Sequence, residues 1–162
     1  MKNLFTYITL LLVIVFQTTV FRYLEVLHII PNLVLVYVVC YSMYAEPTKA
    51  TILAVVSGLL TDIIQTRHIG FTALIMMFVA LVYAIVSSDY IKSNIITVVA
   101  GTFIATFIYE CLYACVLYVM FDKLSIGYML YVILLEGIYN MVMAFPMMFV
   151  SKYFAEDEIR SF

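Results

Sequence analysis

Three carboxylates, Asp62, Glu110 and Glu136, sit inside segments otherwise apolar enough to cross a bilayer. No Lys or Arg in the same segments is placed to neutralise them. A charged side chain at mid-membrane costs about 3 kcal/mol on insertion scales, and more by simulation. Such residues point inward, protonated or hydrogen-bonded, and mark either a polar packing core or a path for a proton or solute. A relay needs partners such as His or a cation. The two His, His28 and His68, fall at predicted loop ends, where an interfacial role is expected. Nucleophile chemistry is no better supplied. Ser42 and Ser57 share no segment with a His, and HExxH, GxSxG and Gly-rich phosphate loops are absent. Cys40, Cys111 and Cys115 lie within apolar segments without metal or redox spacing, which predicts buried small hydrophobes. Neither a cofactor nor a metal is expected.

The elements that must position the carboxylates are membrane helices. The chain of 162 residues is 67% hydrophobic and 11% charged, against about 25% charged in soluble domains. This length allows one polytopic membrane domain over residues 1–162. A net charge of −2 gives no reason to expect nucleic acid. The amino-terminal stretch from Leu4 lacks a small-residue cleavage site and reads as an uncleaved first span. At about 20 apolar residues per span, six candidates emerge. They are Leu4–Phe21, Ile29–Ala45, Ala50–Gln65, Ile69–Val86, Ile95–Phe121 and Ile126–Val150. The second and third are short and joined by Glu46-Pro47-Thr48-Lys49, predicting a tight hairpin that need not cross the bilayer fully. The fifth, about 40 Å if straight, must tilt or project. Pro31 opens the second span and Pro146 is expected to kink the sixth. The apolar runs lack the period-two alternation of a membrane barrel.

Loop cations set the orientation. With a cytoplasmic amino terminus, that side carries Lys2, Lys49, Lys92, Lys152 and Arg160, and the other carries Arg22, Arg67 and Lys123. Both termini are therefore expected in the cytoplasm. Fourteen Tyr and no Trp leave Tyr to form any interfacial belt. The Ala155-Glu156-Asp157-Glu158 run reads as a solvated helix end or tail.

Each carboxylate lies on a stripe of small or polar residues at helical spacing. The third span carries Ala50, Ala54, Gly58 and Asp62; the fifth Thr102, Thr106, Glu110 and Ala114; the sixth Glu136, Asn140 and Ala144. The fourth adds Ala80, Ala84 and Ser88. Small residues let membrane helices approach closely, and polar ones hydrogen-bond between them. The simplest packing joins spans three, five and six, with all three carboxylates facing a shared interior. Three uses remain open on these residues: structural glue, a solute pocket or partner groove, and a proton relay.

The order of motifs resembles a known family. Pro31-Asn32-Leu33-Val34 opens a span, and Ser57-Gly58-Leu59-Leu60-Thr61-Asp62 ends a helix. Ile69-Gly70-Phe71-Thr72-Ala73-Leu74 restarts the chain, and Glu136-Gly137-Ile138-Tyr139-Asn140 with Ala144-Phe145-Pro146 stands near its end. This resembles the rod shape-determining MreD family across nearly the whole chain. Thr61 departs from an apolar position of the pattern, and the stretch from Ile63 to Ile69 lacks Gly or Pro. The resemblance implies a non-enzymatic subunit of the bacterial cell-elongation machinery in the cytoplasmic membrane. It implies partnership with an MreC-like bitopic protein. Through it come links to the MreB filament, the RodA glycosyltransferase and a class B penicillin-binding transpeptidase. The implied fold is an all-α six-helix transmembrane bundle similar to the substrate-binding subunits of energy-coupling-factor transporters. That likeness raises the rival reading of a vitamin-binding transporter subunit. Against it, Leu4–Phe21 contains no Ala or Gly, the small residues through which such subunits dock their partner.

Overall fold

The computed structural model describes residues 2–21, 23, 25, 27–65, 70–87, 94–121 and 126–159. Arg22, Arg67, His68, Ile69, Ser88, Lys92, Lys123 and Arg160 lie outside the described residues, and with them most of the charge asymmetry used for orientation. Six α-helices make up the described chain: α1 Lys2–Thr19, α2 Leu33–Tyr44, α3 Pro47–Gln65, α4 Phe71–Val86, α5 Ile95–Phe121 and α6 Ile126–Ile159. Three of them, α3, α5 and α6, are long and apolar enough to cross a membrane. The others are apolar but shorter.

The helix ends follow from local chemistry. The chain enters α2 four residues later than the hydropathy of Ile29–Ala45 predicts, because Asn32 caps the helix: its side chain accepts from the Leu35 N–H at 3.1 Å. At 12 residues, α2 is only about 18 Å long. By contrast α3 starts earlier than expected, at Pro47, whose fixed φ suits the first helical position. The third helix is therefore long enough to cross, which corrects the reading of a short arm. Gly70 precedes α4 at φ 107°, a left-handed conformation that a side chain would strain. The helix α6 continues through Pro146 to Ile159, so the Ala155–Glu158 backbone is helical. Tyr23, Tyr118, Tyr128, Tyr131 and Tyr153 are exposed near helix ends, where a Tyr belt belongs.

The helix α2 is the core. All twelve of its residues are buried, and Val34 to Cys40 are fully enclosed. A helix apolar all round has no face to offer water, so burial inside the bundle is its stable place. The others surround it: α6, α4, α1, α3 and α5 all touch α2. The helix α1 contributes Leu10, Val13 and Ile14 inward and presents Phe5, Leu11, Leu12 and Val15 outward. The tightest pair is α3 on α4, and α5 packs on α6 and α4. The expected grouping of spans three, five and six is thus half right. Among the described residues, α3 makes no substantial contact with α5 or α6. Gly58 explains why: a Cβ there would stand 2.3 Å from the Ala73 Cα, so α3 is drawn against α4 at backbone distance.

Candidate functional site

The polar residues converge at the amino end of α2. Asn32 donates its backbone N–H to the Asn140 Oδ1 at 2.8 Å. The Asn140 Nδ2 donates to the Thr106 Oγ1 at 2.9 Å and, more weakly, to the Glu136 Oε1 at 3.5 Å. Thr106 in turn donates to the Thr102 carbonyl at 3.0 Å. Gln17 of α1 accepts from the Val34 N–H at 3.0 Å. The first turn of α2 is therefore held by side chains of its own cap, of α1 and, through Asn140, of α6. Helix ends buried away from water require such partners. Asn140 and Thr106 are fully buried, and Glu136 is 8% exposed.

Glu110 of α5 and Glu136 of α6 are close enough to interact with each other. Two of the three carboxylates therefore meet. Asp62 is fully buried as well. Its Oδ2 accepts from the Gly70 N–H at 2.7 Å, which secures the start of α4. Tyr109 of α5 is buried and its ring stacks on that of Tyr113, with centroids 6.1 Å apart. Asp62 lies in the last turn of α3, Glu110 on α5 and Glu136 on α6.

A half-open cavity of about 530 Å³ adjoins the cluster. Its wall includes Gln17, Pro31, Asn32, Ile64, Gln65 and Glu136. Of the other positions singled out by sequence, Gly58 forms the α3–α4 crossing, Tyr139 is half-buried and Pro146 is exposed within α6. His28 is exposed with its Nδ1 3.0 Å from Glu25. Cys40 is buried and Cys111 half-buried, but Cys115 is exposed, contrary to expectation, because it turns to the outer face of α5. Sequence reasoning missed Gln17, although it is the one amide in the apolar run Leu4–Phe21. It also missed Tyr83, whose hydroxyl donates to the Gly101 carbonyl at 2.5 Å and ties α4 to α5.

Comparison with known proteins agrees with the motif order. No curated protein and no solved structure matches the chain. The family described as rod shape-determining protein MreD matches residues 1–155. With the motif residues Asn32, Glu136 and Asn140 meeting in one buried cluster and the match spanning nearly every residue, the chain belongs to the MreD family of rod shape-determining membrane proteins.

Proposed function

We propose that this protein is a non-enzymatic scaffold of the bacterial cell-elongation complex. It holds an MreC-like bitopic partner and supports lateral peptidoglycan synthesis. Through that partner it is linked to MreB, RodA and a class B penicillin-binding transpeptidase. The observation that carries the reading is the family match over residues 1–155. The polar cluster is consistent with it. Asn32, Thr106, Glu136 and Asn140 bond to one another and to helix backbone, as packing residues do. Asp62, Glu110, Gly58, Gly70, Pro31, Tyr139 and Pro146 complete the set to which we assign structural roles. The chain is proposed as a single multi-pass domain of the cytoplasmic membrane with both termini inside. Its bundle is proposed to share the architecture of the substrate-binding subunits of energy-coupling-factor transporters. The partner's single helix would dock on an outer apolar face.

The cavity beside Glu136 favours a second reading, a solute-binding subunit of a vitamin-type transporter. Affinity purification of the tagged chain from gently solubilised membranes, followed by mass spectrometry, separates the two. Recovery of an MreC-like bitopic protein supports the scaffold. Recovery of a paired ATPase with a transmembrane coupling subunit overturns it. On the scaffold reading, Glu136→Ala lowers folded yield or partner capture. Unchanged yield together with unchanged capture would sink that assignment.

A further inference from the structure

Among the described residues two that are not glycine hold a positive φ, and they are neighbours: Leu27 at 56° and His28 at 64°. This is the left-handed region, where a Cβ crowds the following carbonyl and only Gly, Asn or Asp enters readily. Two such values in succession suit a type I′ turn, whose usual occupants are Asn and Gly. A bulky Leu is an outlier there. Nor does packing explain it. Leu27 is 59% exposed, whereas Ile29, two residues on, is buried. Strain kept at a position that the core does not use points to a task for the side chain.

The place of the turn identifies what covers it. The Leu27 carbonyl accepts from the Tyr131 hydroxyl at 3.0 Å, which fixes the turn against α6 near its start. That helix is long and apolar enough to cross a membrane. Its outer face continues from Tyr131 through Leu134, Ile138 and Val142, all exposed and on one side at spacings of three and four. Leu27 therefore extends a surface that lies in lipid. Tyr23, 92% exposed, and Tyr128 belong to the same end of the bundle, and exposed tyrosines suit the level where hydrocarbon gives way to headgroups. Glu25 and His28, whose side chains stand 3.0 Å apart, give the turn an exposed polar side. An apolar tip beside a polar pair is the layout of a group seated in the interface. We propose that the Leu27-His28 turn is a membrane anchor: Leu27 enters the acyl boundary of the nearer leaflet, and the Glu25–His28 pair stays among the headgroups. The short core helix gives the anchor its use. Enclosed on all sides and about 18 Å long, α2 has no lipid contact with which to set its depth, and the anchored turn before it sets that depth instead. The inference does not depend on which partner the protein holds.

The sequence contains no Trp, so a single introduced Trp reports its own surroundings. Leu27→Trp is made in the full chain and reconstituted in phosphatidylcholine vesicles. Its fluorescence is challenged with phosphatidylcholine brominated on the acyl chains, and separately with iodide on both sides of the membrane. Brominated lipid is expected to quench at least threefold more than iodide. Stronger quenching by iodide overturns the proposal. A second pair of variants keeps the test decisive if Leu27→Trp does not fold. Tyr23→Trp exchanges one exposed ring for another, and Leu27→Gly suits the positive φ. Quenching of Tyr23→Trp by brominated lipid should fall at least twofold when Leu27→Gly is added. Unchanged quenching overturns the proposal. So does a loss of monodisperse yield in Leu27→Gly alone, because it assigns Leu27 to the fold.

Discussion

Asn140 joins three parts of the chain through one side chain. Its oxygen accepts from the Asn32 N–H, and its nitrogen donates to Thr106 and Glu136. An amide supplies an acceptor and two N–H donors on one short side chain, where a hydroxyl has a single donor. Asn140→Leu leaves the part-buried Asn32 N–H without its protein acceptor, which costs about 1 kcal/mol. We expect a lower unfolding midpoint in detergent for Asn140→Leu, and an intermediate one for Asn140→Asp, which keeps the acceptor alone. Equal midpoints for all three proteins would refute the role. Much of this cluster was legible beforehand. Helical spacing put Glu136 and Asn140 on one face and Thr106 and Glu110 on another, and those faces do meet. The bond to Asn32 was not legible, because the two residues are 108 positions apart and nothing in local pattern says which N–H an amide will reach. Gln17 was missed for the same reason. An isolated polar residue in an apolar run signals a partner without naming it.

At the scale of elements, close approach decides who packs on whom. A methyl group at Gly58 would press on backbone atoms of Thr72 and Ala73, which have no rotamer to yield. Gly58→Ala is therefore expected to reduce folded protein strongly, read as monodisperse yield by size-exclusion chromatography. Gly127→Ala is the control, since open space surrounds that position, and its yield should match the parent. Wild-type yield from Gly58→Ala would remove the crossing as a determinant of the fold. The small-residue stripe on α3 was visible in sequence, but its partner was not. The stripe suited α4, α5 or α6 equally well, and the expected packing of span three on spans five and six failed on that choice. Helix ends erred by a few residues for identifiable reasons. Hydropathy counted Ile29 and Ile30 into the second span, whereas the Asn32 cap starts it at Leu33; it discounted Pro47, which opens the third.

For the molecule as a whole, the consequence of a buried α2 is space. A core helix of about 18 Å cannot fill a hydrocarbon layer of about 30 Å, so its ends leave room within the bundle. The polar cavity adjoins its amino end. An apolar one of about 340 Å³, lined by Met43, Tyr83, Gly101 and Ile104 among others, adjoins its carboxyl end. The proposed topology has an even number of spans and both termini inside. A green fluorescent reporter fused after Phe162 is then expected to fluoresce, and alkaline phosphatase at the same point to be inactive. Active phosphatase there would reverse the orientation derived from loop cations.

The sequence by itself determined the membrane class, the six helices and the family. Those follow from mean hydropathy, from Pro, Gly and Asn punctuation, and from the order of short motifs, all of which are local. Only the tertiary structure decided that α2 is the core, that α3 pairs with α4, and that a cavity opens beside Glu136. The physical reason lies in the solvent. Lipid and protein interior are equally apolar, so an apolar side chain gains little by choosing one over the other, and hydropathy carries no record of which face turns inward. That choice is made by backbone approach at residues such as Gly58 and by hydrogen bonds such as Asn140 to Asn32, which exist only once the helices are assembled.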